Sequence, residues 1–221
     1  MEGLIFWATL AAIIGGTGTV LRVFFSDRAK AKRAIKRAKR KNIADVQDGE
    51  IVKIRGTLRY AGSTVVAPIS GRQCVAFNVM VEQSQGKRTP IRFTEDDCTT
   101  FLLEDATGKA LVSPTLARLV VSTDAHRRSG VFEDPTPQMI TLLDDHGVDY
   151  KGIFLNNETR YVEGILEEGE TVAVLGLAHW EPDPDPGTAA RGGYRERATR
   201  LRITDPPEGE TIVSDEPSVL D

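Results

Sequence analysis

The alternation of apolar and polar positions from residue 48 to residue 204 predicts a β-rich body. Val52, Ile54, Gly56, Leu58 and Tyr60 alternate with Lys53, Arg55, Thr57 and Arg59, the period-2 pattern of a strand that buries one face. Gly62 then breaks it. Val75, Phe77, Val79 and Val81 alternate with Cys74, Ala76, Asn78 and Met80, and with both faces largely apolar this strand belongs inside a sheet. Ser84 to Lys87 reads as a hairpin turn into a strand from Thr89 to Phe93. The stretch FLLEDATGKALV, residues 101–112, reads as two short strands around a turn in which Asp105 and Thr107 bond the backbone and Gly108 takes positive φ. Leu116 to Val121 continues the series. Val162 to Ile165 and Thr171 to Trp180 read as a strand pair around the acidic turn Glu167 to Glu170. The final strand lies near Ala198 to Ile203, with Leu201 and Ile203 on one face and Arg200 and Arg202 on the other.

One helix interrupts the strands. Thr136 is its cap, Pro137 its first position, Met139, Ile140, Leu142 and Leu143 its apolar face, and Gly147 its terminator. The Pro- and Gly-dense run from 181 to 193 reads as a long mobile loop. Residues 205–221 hold six acids, no base and three prolines, the composition of a disordered tail. The expected fold is mainly β (α+β), a small barrel or sandwich with one short helix over 48–204.

The N-terminus reads differently. From Gly3 to Leu21 run 19 uncharged residues, and at about 1.5 Å per residue such a helix crosses a hydrocarbon core of about 30 Å. Past Arg22, whose stem can snorkel, Val23, Phe24 and Phe25 extend it, so residues 3–25 read as a transmembrane helix. A cleaved signal peptide needs a positive leading region, where this chain has Glu2. A helix buried in a soluble core is rarely so uniformly uncharged beside a basic flank.

The net charge of −4 conceals that flank. Residues 28–41 carry nine basic residues and no acid, whereas residues 42–221 carry 18 basic and 30 acidic ones. Lys and Arg beside a membrane segment stay in the cytoplasm, so the expected location is a cell membrane, single-pass, with the N-terminus outside and the body cytoplasmic. Residues 26–47 are expected to form a polybasic juxtamembrane helix whose Arg28, Lys30, Lys32, Arg33, Lys36, Arg37, Lys39, Arg40 and Lys41 meet anionic lipid headgroups. Nucleic acid is the disfavoured partner, because no aromatic residue interleaves the basic run. Small residues at Ala11, Gly15 and Thr19, and at Ala12 and Gly16, permit a homo-oligomer through the membrane helix.

Candidate chemistry in the body is sparse. Two cysteines and three histidines exclude zinc modules and disulfide frameworks, and no phosphate-loop, dinucleotide or hydrolase-elbow motif is present. No cofactor, metal or catalytic residue is assigned. Cys74 sits in an apolar strand as a small core residue, and Cys98 follows Glu95, Asp96 and Asp97, which raise a thiol pKa. The binding candidates are basic: Arg127 and Arg128 in the loop STDAHRRSG, and Arg195, Arg197, Arg200 and Arg202 near the last strand. These arginines read either as a solvated face that offsets acidic turns or as a groove for an acidic protein partner or anionic ligand.

Residues 49–82, the FLLEDATGKALV turn, and RYVEGILEEGETVAVLGLA at 160–178 together resemble the "beside a membrane" (BAM, also called GIDE) domain. The likeness rests on Gly56, the segment Ala67 to Phe77, the turn 104–108, and Arg160 with Glu163. It implies a β domain next to a membrane helix, as in mitochondrial-anchored ubiquitin and SUMO ligases and prokaryotic membrane proteins. The ligases carry two membrane helices and a RING domain. Here no second apolar run approaches 18 residues and no cysteine follows Cys98, so ligase activity does not carry over. The expected function is a non-catalytic binding or scaffolding module that recruits a partner to the membrane. The alternatives are a hydrolase or ligand-sensing enzyme with a pocket in the β domain, or a subunit of a larger membrane assembly.

Overall fold

The computed structural model describes residues 27–83, 91–130, 134–151, 157–183 and 199–221. Strands β2 (Ile51–Tyr60), β7 (Phe101–Glu104), β8 (Lys109–Val112), β13 (Thr199–Thr204) and β12 (Thr171–Pro182) hydrogen-bond in that order, and β12 pairs back onto β2 to close a small five-stranded barrel. The body is therefore mainly β, as its alternation predicts. Inside the barrel lie Val52, Ile54, Leu58, Phe101, Leu103, Val174, Leu201 and Ile203.

Closure depends on two long strands that change partner. Residues 51–57 of β2 run antiparallel to 171–177 of β12, after which β2 turns to β7 and β12 to β13. A glycine stands at each bend. A Cβ on Gly56 would lie 2.3 Å from the main-chain oxygen of Glu104, and one on Gly176 would lie 2.5 Å from Ile203 Cγ2, so neither position has room for a side chain.

A second sheet, all antiparallel, orders β10 (Ala125–Ser129), β11 (Thr159–Leu166), β5 (Ala76–Gln83) and β6 (Ile91–Cys98). The doubly apolar β5 sits inside it, as expected. Helix α2 (Pro137–Asp145) packs Met139, Leu142 and Leu143 against Phe77, Val79, Val81 and Tyr161. Its signals hold: Thr136 Oγ1 accepts from the Met139 N–H at 3.3 Å, Pro137 opens it, and Gly147 follows at φ +64. A two-residue ladder joins β3 (Val65–Val66) to β4 (Gln73–Cys74).

Helix α1, described over 27–37, and the short α3 (Pro217–Leu220) cover the outside of the barrel. Ala31 and Ile35 of α1 and Val219 of α3 meet Val120, Ala173 and Ile212 in a third cluster. Beyond α1 the chain forms β1 (Arg40–Lys41), parallel to β2, and a 3-10 turn at Ile43–Asp45. The expected helix over 26–47 thus stops early, because Ile43 and Val46 reach the barrel core.

Several other expectations are corrected. The segment 205–221 is ordered: β14 (Thr211–Ser214) joins β12, β9 (Ala117–Val120) runs parallel to β14, and Val213 is buried. Asp205 is part of this order, accepting from the N–H groups of Thr115, Leu116 and Thr211. The strands around the acidic turn do not pair with each other, since β11 belongs to the second sheet and β12 to the barrel. Gly108 does not take positive φ; its place is set by Ile43, whose Cγ2 would lie 3.2 Å from a Cβ there. The expected membrane helix 3–25 lies outside the described residues, as do the turn 84–87 and most of the loop 181–193. Among the described residues no helix is long and apolar enough to cross a membrane.

Candidate functional site

Residues 125–129, AHRRS, form the edge strand β10 rather than a loop. Both ends of this strand are fixed. At its start, Asp124 donates its N–H to Glu163 O at 2.9 Å and its Oδ2 accepts from the Ile165 N–H at 2.8 Å. At its end, the Ser129 hydroxyl lies 3.2 Å from the buried Tyr161 hydroxyl, and one pair further in Gln83 donates to Thr159 Oγ1 at 3.2 Å. Burial raises the Tyr161 pKa above the usual phenol range, so that hydroxyl keeps its proton.

The register places His126 opposite Val162, Arg127 opposite Tyr161 and Arg128 opposite Arg160. His126, Arg127, Arg128 and Arg160 are exposed, and together they line an open cleft of about 350 Å³. Successive side chains point to opposite faces of a sheet, so His126, Arg128 and Arg160 share one face and Arg127 belongs to the other. Among the described residues no strand pairs with that edge and no acid pairs with Arg127, Arg128 or Arg160. His126 and Arg160 complete a group of which the sequence pointed only to Arg127 and Arg128 as binding residues. The register unites them, and AHRRS is too short and too polar to signal a strand.

The other arginines are placed apart from this cleft. Arg200 Nε and Arg202 Nε bind the two oxygens of Glu181 at 2.6 and 2.7 Å, on β13 and β12 of the barrel. The bond from Arg202, and then that from Arg200, holds the Glu181 carboxyl below its ordinary pKa. This pair therefore clamps two strands together. Arg195 and Arg197 lie outside the described residues.

The nine basic residues of 28–41, six on α1 and three beyond it, fall into two groups. Arg28 donates to Val121 O at 2.5 Å and to Asn78 Oδ1 at 3.3 Å, joining the two sheets; Lys32 pairs with Glu216, and Lys41 with Glu50 at 2.6 Å. Lys30 is exposed beside Asp27 at 3.0 Å. Arg33, Lys36, Arg37, Lys39 and Arg40 are exposed without an ion-pair partner among the described residues. On a helix, Arg33 and Arg37 lie opposite the docked Ala31 and Ile35. Comparison with family models, curated proteins and solved structures finds no match to this chain.

The thiols are poorly suited to nucleophilic work. Burial, reinforced by Glu163 and Glu167, pushes Cys74 up to about 11, and burial with Asp97 pushes Cys98 up to about 12. His146 stacks on Phe93 at 3.9 Å and caps α2 through Leu142 O at 3.0 Å, while His179 lies 3.9 Å from Asp48. Among the described residues no three His, Cys, Asp or Glu side chains group as a metal site.

Proposed function

We propose that this protein is a non-catalytic binding and scaffolding module, held on the cytoplasmic side of a membrane by residues 3–25 and by the outward basic face of α1, that recruits a partner to that surface. The observation that supports this reading is the division of charge on α1. Its body-facing basic side chains are matched by Asn78, Val121 O and Glu216, while Arg33, Lys36 and Arg37 face outward with no counter-charge among the described residues. Each basic group contributes about 1 kcal/mol at an anionic leaflet, so such a face suits a lipid surface. The 19 uncharged residues from Gly3 to Leu21 end with five residues between them and the described start of this helix. Because α1 is packed on the barrel through Ile35, an anchor continuous with it would fix which side of the body faces the cytoplasm. That would raise the body's effective concentration for partners at the same surface. The resemblance to the BAM domain points the same way.

Membrane fractionation of the full chain and of a chain lacking residues 1–25 tests this. The full chain is expected to stay in the membrane pellet through high-salt and carbonate washes, and the shortened chain to be soluble with an unchanged circular dichroism spectrum. A full chain that is soluble without detergent, or a shortened chain that stays in the pellet, would overturn the reading.

A further inference from the structure

We infer that the open edge of β10 is a docking site for an extended acidic segment of a protein partner, which adds as a fifth strand beside β10 and places its carboxylates on Arg127, Arg128 and Arg160. The inference is separate from the membrane reading, since it uses only the second sheet.

Three observations carry it. The main chain of β10 has its outer edge unpaired among the described residues, and an edge strand presents N–H and C=O groups that bind any extended chain. The cleft beside it is lined by His126, Arg127 and Arg128 of β10 and by Arg160 of β11, so four basic side chains gather next to that edge. The strand is also held in extended form beforehand by Asp124 at one end and Ser129 at the other, so little ordering is needed on binding.

Charge selects the occupant. A second copy of β10 would set arginine against arginine, which disfavours self-pairing of the edge. An acidic strand meets Arg128 and His126 on one face and Arg127 on the other, with Arg160 one strand further in, at about 4.8 Å per strand and within reach of its long side chain. Main-chain bonds then supply affinity, and the guanidinium–carboxylate pairs supply selectivity. A lone phosphate or a lipid headgroup would use the arginines but leave the strand edge empty.

The test uses the full chain in nonionic detergent and a short fluorescent peptide in which consecutive glutamates are flanked by valine and threonine. The peptide is expected to bind. Arg128→Glu with Arg160→Glu should weaken binding about tenfold or more with the circular dichroism spectrum unchanged, and N-methylation of alternate peptide amides, which leaves every carboxylate in place, should abolish it. Should the double reversal unfold the protein, Arg128→Gln and Arg160→Gln taken singly carry the same comparison. Absence of peptide binding, indifference to these substitutions, or equal binding of the N-methylated peptide would overturn the proposal. So would mixed micelles carrying a phosphoinositide that bind through the same arginines without competition from the peptide.

Discussion

Arg128 of β10 stands directly opposite Arg160 of β11, like charge facing like charge on an exposed face of the second sheet. In register beyond Arg160 lies Glu82 of β5, a strand further from Arg128. Like charges directly opposite on antiparallel strands destabilise a sheet by a fraction of a kcal/mol. A fold selected only for stability has no use for Arg128, whereas a docking edge does. Arg128→Thr, which also suits a strand, is therefore expected to raise stability by about 0.5 kcal/mol, read from the urea midpoint, while weakening acidic-peptide binding. A loss of stability would identify Arg128 as a structural residue.

Ile35 is fully buried where α1 meets Ala173 and Ile212. Ile35→Ala is expected to cost about 3 kcal/mol, the scale of a buried aliphatic truncation. It should also open the Lys32 to Arg37 stretch to trypsin before the barrel unfolds, because Arg28 and Lys32 hold the helix only by polar contacts. Equal trypsin resistance in parent and variant would mean that α1 is held in some other way.

Asp105 makes the barrel acid-sensitive at a defined point. Its Oδ1 accepts from the N–H groups of Thr107 and Gly108 at 2.7 and 2.9 Å, and its Oδ2 from the Ile43 N–H at 2.8 Å. Burial opposes ionisation, yet these bonds and the one from the Thr107 hydroxyl together outweigh it and hold the carboxyl below its usual range. With the folded pKa below the unfolded one, this stabilisation is complete above about pH 4 and is lost as pH falls through the folded value. Asp105→Asn should flatten the acid limb of the stability curve. It should also cost about 1–2 kcal/mol at pH 7, where an amide nitrogen facing Ile43 leaves that N–H unpaired. Urea unfolding at a series of pH values checks this, and parallel curves for the two proteins would contradict it.

What the sequence made legible follows from burial. β7 and β13 could be read because each buries a periodic face, β2 from the alternation of its residues, β5 from a long apolar run, β8 from the turn that joins it to β7, and α2 because a cap, a proline and a glycine mark it. The C-terminal strand was hidden. Thr211 to Ser214 is four residues long and buried on both faces, so it lacks alternation, and Asp205 and Asp215 beside it read as solvated when they in fact accept main-chain N–H bonds. Lys53 misleads in the same way. Its place in the alternation suggests an exposed face, yet it is fully buried, with Nζ donating to Asp221 O at 2.6 Å under α3. The basic site was half legible: composition pointed to Arg127 and Arg128, but only strand pairing brings Arg160 beside them and assigns Arg200 and Arg202 to Glu181.

The two sides of α1 make opposite predictions for the same kind of substitution. Replacing Arg33, Lys36 and Arg37 with glutamine removes charges that have no ion-pair partner among the described residues, so unfolding should shift by no more than about 0.5 kcal/mol. Association of the chain lacking residues 1–25 with phosphatidylserine vesicles should fall by about a hundredfold, three groups at about 1 kcal/mol each. Replacing Arg28 alone removes the charged bond to Val121 O where the two sheets meet. That change is expected to cost about 1–2 kcal/mol of stability and to leave vesicle association within about twofold. Vesicle sedimentation and urea unfolding on the two variants separate the roles, since a helix that is merely a solvated cover would show the same vesicle association in both. A helix that faces lipid on one side and the barrel on the other must lose affinity in one variant and stability in the other.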